Sequence, residues 1–408
     1  MTQSKNSDPA SVGAAKATRR DWLLLPLLGL LTIVAMAASA KLLARQAHLD
    51  SWGDVDPCLV FGDVSTGVRG NPGSVCWSKG RESGPVEYRF NSNGYRTDVR
   101  LGPKQQGTYR IVMTGASFAL GAQVPVEKSS AALLPVELAK RTRRRIELYN
   151  EGMFSGSPHS VGLRFKDVLA AQPDLILWEL TAWDIKQDSI LMPPRVLRQA
   201  GAKGSSMAPK PAGLVSAVKA ALASASPREA IQNVWDESNT AFALRHFLYE
   251  IQSLYVDAYL MPGNKDSDFL RKAPSAAWQT HLQQFDSYAA DVELQAQAAG
   301  VPLIAVYVPN RAPAAMISRG EWPEGYDPYK LGDDIRAIIL KHGGTYIDLL
   351  PEFRNLPNPE RYYLPIDGHP TTEGQAMIAA LLAKALTNGA VPALRVAAQP
   401  QTALEQGR

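Results

Sequence analysis

The segment that decides the fold is Ile111-Val112-Met113-Thr114-Gly115-Ala116-Ser117-Phe118. An apolar, β-branched run that ends at a turn residue is typical of a buried strand, and a serine just past the turn then lies at the carboxyl edge of the sheet. Open α/β sheets carry their chemistry at that edge. Most Gly-x-Ser serines are turn or helix-cap residues, so Ser117 becomes a candidate nucleophile only together with Asp367-Gly368-His369-Pro370 far downstream.

Apolar runs of strand length alternate with helical patterns on either side of this segment. Strands are predicted at 111–114, 146–150, 175–180, 301–308 and 347–350. Helices are predicted at 129–143, 161–171 and 331–342, followed by one that begins with a capping box at Thr372-Glu373-Gly374-Gln375. This β-α alternation predicts a parallel, doubly wound sheet.

Composition divides the chain into five parts. They are a basic segment at 1–20, an apolar span at 21–44, an irregular lead-in at 45–106, an α/β domain at 107–390 and a flexible tail at 391–408. Residues 186–272 are too many for an ordinary connection and are interpreted as an insertion. Its first part, 199–226, is predicted to be mobile. Its second part, 228–261, is predicted to be helical, with an apolar stripe that packs on the main domain or serves as a lid or a membrane-facing helix.

The apolar span is predicted to cross a membrane. Residues 22–40 carry no charge, which at helical rise is long enough for a bilayer core. More basic residues precede the span than follow it, so the positive-inside rule keeps residues 1–20 in the cytoplasm and the bulk of the chain outside the inner membrane. The alternative is a cleaved signal peptide, because Ala38-Ser39-Ala40 matches an A-x-A cleavage site. The length of the apolar run favours the uncleaved anchor.

Charge and cysteine usage narrow the possible partners. The formal charge is +4, of which residues 1–20 supply +3 (two Lys and two Arg against one Asp), so no nucleic-acid partner is predicted.

Cys58 and Cys76 are the only cysteines in the sequence, and in an oxidising compartment they would most simply pair, stabilising the fold by about 3 kcal/mol. The alternative is two unrelated buried thiols. No zinc motif, P-loop or dinucleotide fingerprint occurs in the sequence, so neither a metal nor a cofactor is predicted.

The order of these pieces resembles the SGNH (GDSL-like) hydrolase superfamily over roughly residues 108–387. Those enzymes have a flavodoxin-like sheet with four short sequence blocks at its carboxyl edge. Gly115-Ala116-Ser117-Phe118 is similar to the first block, although Ala116 stands where the family has aspartate. Residues 149–156 are similar to the second, which implies that the Gly156 backbone N–H enters an oxyanion hole. In the third block Trp183 replaces the family's asparagine, so its indole N–H could substitute as a donor, or its bulk could shape an acyl pocket.

The fourth block is the most specific. Asp367-Gly368-His369-Pro370 resembles the family's Asp-x-x-His-Pro ending, with the shorter spacing of the alginate O-acetyltransferase relatives. Side chains two apart in an extended segment point to one side, so Asp367 can reach His369. Elsewhere only His48, with Asp50, shares this spacing, and it has no adjoining strand.

The resemblance implies a catalytic triad with an acyl-enzyme at Ser117. His369 takes the serine proton, Asp367 orients the imidazole, and the backbone N–H groups of Ser117 and Gly156 hold the oxyanion. Asp184 is a possible alternative third member.

Location and resemblance together predict a serine esterase or O-acyltransferase. Its substrate would be O-acyl groups, such as acetyl, on envelope or exported polysaccharide, and a transferase would work beside a membrane protein that supplies acyl groups or exports the polysaccharide. The alternative is a catalytically degraded domain that binds carbohydrate or serves as a scaffold in a polysaccharide export complex. Ala116 and Trp183 favour the alternative, and the retained Ser117, Gly156, Asp367 and His369 oppose it.

Overall fold

The computed structural model describes residues 19–61, 68–97, 99, 102–154, 156–186 and 238–395. The predicted mobile segment at 199–226 and the start of the predicted helical stretch at 228–261 lie outside these residues. So do most of the basic segment and residues 396–408.

The described chain begins with an exposed helix, α1 (Arg19–Gln46). Its 21 residues Pro26–Gln46 are apolar, unburied and long enough to cross a membrane, a property that an anchor and a signal sequence share. The start of the lead-in, directly after this helix, is fastened to a later part of the lead-in, because the Lys79 ammonium donates to the backbone oxygens of His48 and Asp50 at 2.6 Å each. The His48 backbone oxygen is therefore held by Lys79, whereas the Asp-x-His pair at 367–369 lies in the α/β domain.

The lead-in forms two small antiparallel sheets. Its strands are β1 (Trp52–Gly53), β2 (Leu59–Phe61), β3 (Val68–Gly70), β4 (Val75–Lys79) and β5 (Pro85–Arg89). β1, β4 and β5 form one sheet, and β2 pairs with β3 in the other. The predicted Cys58–Cys76 disulfide is present, with the two Cα atoms 6.0 Å apart, and it ties the start of β2 to β4.

A five-stranded parallel sheet forms the centre of the molecule. Its strands are β6 (Thr108–Thr114), β7 (Arg145–Asn150), β8 (Leu175–Leu180), β9 (Leu303–Tyr307) and β10 (Thr345–Asp348). Their spatial order is β10-β9-β8-β6-β7, and every neighbouring pair is parallel. Counted from β6 along the chain, this is the flavodoxin-like order 2-1-3-4-5. The predicted doubly wound sheet is confirmed, and the order reverses between β6 and β8, directly beside Ser117.

Helices flank the sheet. They are α2 (Ser117–Leu120), α3 (Ser130–Thr142), α4 (Pro158–Leu163), α5 (Phe165–Ala170), α6 (Ala182–Lys186), α7 (Asn239–Tyr249), α8 (Gln252–Tyr259), α9 (Ala276–Ala299), α10 (Arg311–Arg319), α11 (Lys330–Lys341) and α12 (Thr372–Ala385). The single helix predicted at 161–171 is in fact two short ones, because the backbone of Arg164 (φ −96°, ψ 6°) leaves helical geometry where they meet. Within the predicted insertion, α7 and α8 occupy the described part of the helical pattern.

The start of α12 differs from the prediction. Thr371, not Thr372, is the N-cap, and its hydroxyl oxygen accepts the Gly374 N–H at 3.1 Å. Gln375 is buried and closes no capping box. Its side chain accepts the Ser130 N–H at 2.7 Å and donates to the Phe118 oxygen at 3.3 Å. The side chain of Gln375 thus fixes α12 against the helix that carries Ser117.

The core covers the central strands and continues to the end of the described chain. All residues of β6 and β8 are buried, as the near-continuous apolar runs of parallel strands require. Val391 and Leu394 are also buried, so packing extends into the segment predicted to be a flexible tail from 391.

Candidate active site

Ser117 is placed by a sharp turn between β6 and α2. Gly115 there has φ +148°, a conformation that residues with a Cβ rarely adopt. A Cβ on Gly115 would also lie 2.6 Å from the backbone oxygen of Glu179. The turn therefore requires glycine, and it presents the half-buried serine at the carboxyl edge of the sheet.

The structure brings Ser117, His369 and Asp367 into one hydrogen-bonded chain. Ser117 Oγ lies 2.8 Å from His369 Nε2, and His369 Nδ1 lies 2.6 Å from Asp367 Oδ1. This network assigns the tautomer in which Nδ1–H donates to Asp367 and Nε2 accepts the serine O–H. That is the arrangement in which an imidazole acts as a general base toward a serine.

The environment of Asp367 favours its ionised form. Desolvation acts to raise the pKa of Asp367, but attraction to His369 and hydrogen bonds from the His369 ring and backbone N–H outweigh it. The pKa of Asp367 therefore lies below its ordinary value. An ionised carboxylate beside Nδ1 stabilises the imidazolium that forms when the serine loses its proton.

Asp184, the alternative acid, has a different set of bonds. Its Oδ2 accepts the Thr181 N–H at 2.6 Å and closes the turn that begins α6. Burial raises the pKa of Asp184 to about 7, although the hydrogen bonds from Thr181 and the charge of His369 oppose the rise. His369 Nδ1 is thus hydrogen-bonded to Asp367, whereas Asp184 holds the turn at Thr181.

Glu179 is a second buried acid behind the site. The residue is 2% exposed, and neither carboxylate oxygen has a hydrogen-bond partner among the described residues. Burial and, to a smaller extent, repulsion by Asp184 raise the pKa of Glu179 to about 8. At neutral pH this side chain is therefore mainly protonated.

Gly156, one of the two predicted oxyanion donors, lies against the turn that carries Ser117. A Cβ on Gly156 would be 2.8 Å from the Gly115 oxygen and 3.0 Å from the Cα of Ala116, so the second block touches the nucleophile turn. The Gly156 N–H donates to the Met153 oxygen at 3.2 Å. The Ser117 N–H stands at the first position of α2, where an N–H has no partner within the helix. Their role as oxyanion donors stays a prediction.

Trp183 contacts His369 through its ring. The centroid of its indole ring lies 5.2 Å from that of His369 and 5.5 Å from that of Phe118. A Cβ on Gly368, whose φ is +78°, would be 3.1 Å from the indole, so the two residues are closely packed. Of the two roles weighed for Trp183, this packing favours a wall that shapes the site.

Two charged residues of the lead-in, Arg96 and Glu82, form hydrogen bonds with the loops that flank the candidate site. The sequence analysis assigns neither of them a role in the site. Arg96 follows the Asn93-Gly94 turn in the polar lead-in, where the sequence alone predicts only a surface charge. It is in fact 1% exposed and donates to the Leu120 and Val124 oxygens at 3.0 and 2.7 Å. It braces the loop that follows α2. Glu82 bonds to the loop that carries Asp367, more than 280 residues away in the chain. No local pattern could reveal such distant partners.

No protein-family model and no curated protein matches this sequence. Among solved structures, the acetyl xylan esterase AlAXEase shares 14% identity over 68% of this chain and 99% of its own, with a TM-score of 0.35. A variant of an acetyl xylan esterase from Geobacillus stearothermophilus shares 12% identity over 68% of this chain and 93% of its own, with a TM-score of 0.35. A lipase/acylhydrolase from Enterococcus faecalis shares 14% identity over 68% of this chain and 95% of its own, also with a TM-score of 0.35. At such values the similarities carry no functional argument. The class is defined by the chain itself, as a flavodoxin-like α/β protein with serine, histidine and aspartate joined at the carboxyl edge of its sheet.

Proposed function

We propose that this chain is a serine esterase or acyltransferase of the SGNH type. The observation that carries the proposal is the hydrogen-bonded chain from Ser117 Oγ through His369 to Asp367, with distances of 2.8 and 2.6 Å. Those lengths lie in the range that direct proton transfer needs. A serine hydroxyl is a weak nucleophile at its free pKa, and an adjacent base of this kind activates it.

The proposed reaction has two acyl-transfer steps. Ser117 Oγ attacks the acyl carbonyl carbon while His369 Nε2 takes the hydroxyl proton. Collapse of the tetrahedral intermediate breaks the ester bond, and the departing alcohol receives that proton from His369. Water, or a sugar hydroxyl in a transferase, then attacks the acyl-serine in the same way. The N–H groups of Ser117 and Gly156 would stabilise the oxyanion, the latter by exchanging its long bond to Met153.

The proposed substrate is a small O-acyl group, such as acetyl, on an envelope or exported carbohydrate. The partly buried indole of Trp183, which packs on Phe118 and His369, supports a restricted acyl site. A disulfide and an apolar N-terminal helix agree with an extracytoplasmic domain held at the inner membrane. In the transferase version, a membrane protein that donates acyl groups or exports polysaccharide would be the partner.

The test is covalent labelling of the full-length protein with a fluorophosphonate, together with turnover of p-nitrophenyl acetate. We expect the wild type to carry the adduct at Ser117 and Ser117→Ala to lose both labelling and turnover. Ser92→Ala, at an exposed serine of the lead-in, is the matched control and should keep both. Undiminished turnover by Ser117→Ala would contradict the proposed function.

The second candidate is a non-catalytic carbohydrate-binding or scaffold protein. Two observations favour it, namely Ala116 at the family's aspartate position and Trp183 at its asparagine position. Glycan binding without turnover, unaffected by Ser117→Ala, is the result that this candidate requires. Hydrolase and transferase are separated by measuring acetate release and acceptor acylation with and without a glycan acceptor.

A further inference from the structure

The loop that carries Asp367 is held by a carboxylate from outside the α/β domain. Glu82 lies in the turn between β4 and β5, and its Oε2 accepts the backbone N–H of Ile366 at 2.9 Å and that of Asp367 at 2.7 Å. The Glu82 side chain is 1% exposed. Hydrogen bonds from backbone N–H groups to a carboxylate are short and strong, so this contact restrains the acid loop tightly.

Glu82 also links the loop to the insertion. Its Oε1 lies 2.7 Å from His246 Nδ1 on α7. Arg311, at the start of α10, donates to the backbone oxygens of Pro365 and Tyr249. In this loop, Arg311 therefore binds the Pro365 carbonyl, and Glu82 binds the N–H groups of Ile366 and Asp367. The Asp367 side chain is directed from this fixed backbone to His369.

The same turn reaches the nucleophile side of the site. Ser83, next to Glu82, donates its hydroxyl to the Gln123 side chain at 2.6 Å, in the loop that follows α2. Arg81 lies over the ring of Phe242 on α7 at 3.4 Å. Ile366 packs beside Phe242 and the residues at the end of α1. The β4–β5 turn thus contacts both the loop that follows α2, the helix of Ser117, and the loop that carries Asp367.

We propose that Glu82 is a positioning residue of the active site, which acts by fixing the backbone of Asp367 so that its carboxylate meets His369. This inference rests on the proposed function. It makes the β4–β5 turn part of the catalytic unit, although it lies outside the α/β domain. A displacement of about 1 Å in a catalytic group can lower a rate about 100-fold, so a backbone anchor of this kind matters for turnover.

The first test compares Glu82→Gln with wild type as full-length protein in detergent. Glutamine has one acceptor oxygen and an amide that is itself a donor, so it cannot accept all the bonds that Glu82 accepts. We expect kcat for p-nitrophenyl acetate and the fluorophosphonate labelling rate to fall about 10- to 100-fold, with KM nearly unchanged. The matched control is Asp286→Asn, because Asp286 also pairs with a histidine (2.7 Å to His342 Nε2) but lies toward the amino edge of the sheet. Its kcat should stay at the wild-type value.

The second test separates positioning from simple stabilisation. If Glu82 acts through Asp367, adding Glu82→Gln to Asp367→Asn should lower the rate little further, because coupled residues are not additive. Glu82→Asp, which keeps the charge, should restore part of the rate that Glu82→Gln loses. Three results would overturn the proposal. The Glu82→Gln protein could fail to fold, or it could keep the wild-type rate. In the double variant, the rate losses of Glu82→Gln and Asp367→Asn could multiply in full, as they would for independent residues. An unlabelled Ser117 in the wild type would instead refute the proposed function itself.

Discussion

Asp367 and Asp184 are both acids near His369, and their bonding partners separate them. Asp367 bonds to the His369 ring, whereas Asp184 accepts the Thr181 N–H. We expect Asp367→Asn to lower the fluorophosphonate labelling rate of Ser117 about 10⁴-fold, because an amide at this place favours the wrong imidazole tautomer. The melting temperature should change little. Labelling kinetics and thermal unfolding of the same preparation measure both quantities.

Asp184→Asn is the companion variant at this residue scale. The carboxyl of Asp184 titrates near neutral pH, so a neutral amide resembles its protonated form. We expect a labelling rate per folded molecule close to that of the wild type, with any loss confined to the melting temperature. The assignment of the acid would be wrong if the Asp184 variant were the inactive one and the Asp367 variant kept its rate.

At the scale of elements, sequence patterns located what depends on near neighbours in the chain. The apolar runs placed all five strands of the central sheet, with ends displaced by at most three residues. The two-residue spacing of Asp367 and His369 was sufficient to predict their contact. The roles of Arg96 and Glu82 could not be predicted, because their partners are backbone groups of loops whose positions depend on the completed fold. For the same reason, the side chain of Gln375 was misread as part of a cap.

The loop after α2 supplies a prediction at this scale. Arg96 donates to backbone oxygens of Leu120 and Val124, and a buried carbonyl without a partner destabilises a fold by about 1–3 kcal/mol. We expect Arg96→Met to lower the free energy of unfolding by about 2–4 kcal/mol, measured by urea denaturation. Arg89→Met, at an exposed arginine that pairs with Glu87, should change it by less than about 1 kcal/mol. Equal losses in the two variants would show that Arg96 does not support the loop.

At the scale of the whole molecule, parts distant in sequence meet at the acid loop. The end of α1, the β4–β5 turn and α7 all contact Ile366 or its neighbours. The disulfide fixes β4 to the start of β2 and so restrains the sheet from which the turn extends. The lead-in and the insertion are therefore structural parts of the candidate site, although the strand pattern of the α/β domain is complete without them.

The buried acid Glu179 makes the stability of the whole molecule depend on pH. Its folded-state pKa of about 8 lies above the ordinary value of 4.5. Between those values the unfolded chain releases this proton while the folded protein retains it. The contribution of Glu179 to the free energy of unfolding therefore falls as pH rises through this window, and it levels off above the folded-state pKa.

Glu179→Gln should remove the contribution of Glu179 to this pH dependence, because glutamine keeps the shape of the protonated acid and does not ionise. We expect the variant to be more stable than wild type at pH 8, by a few kcal/mol, since each unit of pKa shift corresponds to about 1.4 kcal/mol. The advantage should shrink as pH falls toward 4.5, where both folded and unfolded wild-type chains hold the proton. Urea unfolding of both proteins from pH 5 to pH 8 measures this difference in the free energy of unfolding. The control is Glu352→Gln, at a half-exposed ion pair with Lys384, which should not be more stable than wild type at pH 8. If Glu179→Gln instead lost stability at pH 8, the carboxylate would have to be ionised and paired in the folded protein.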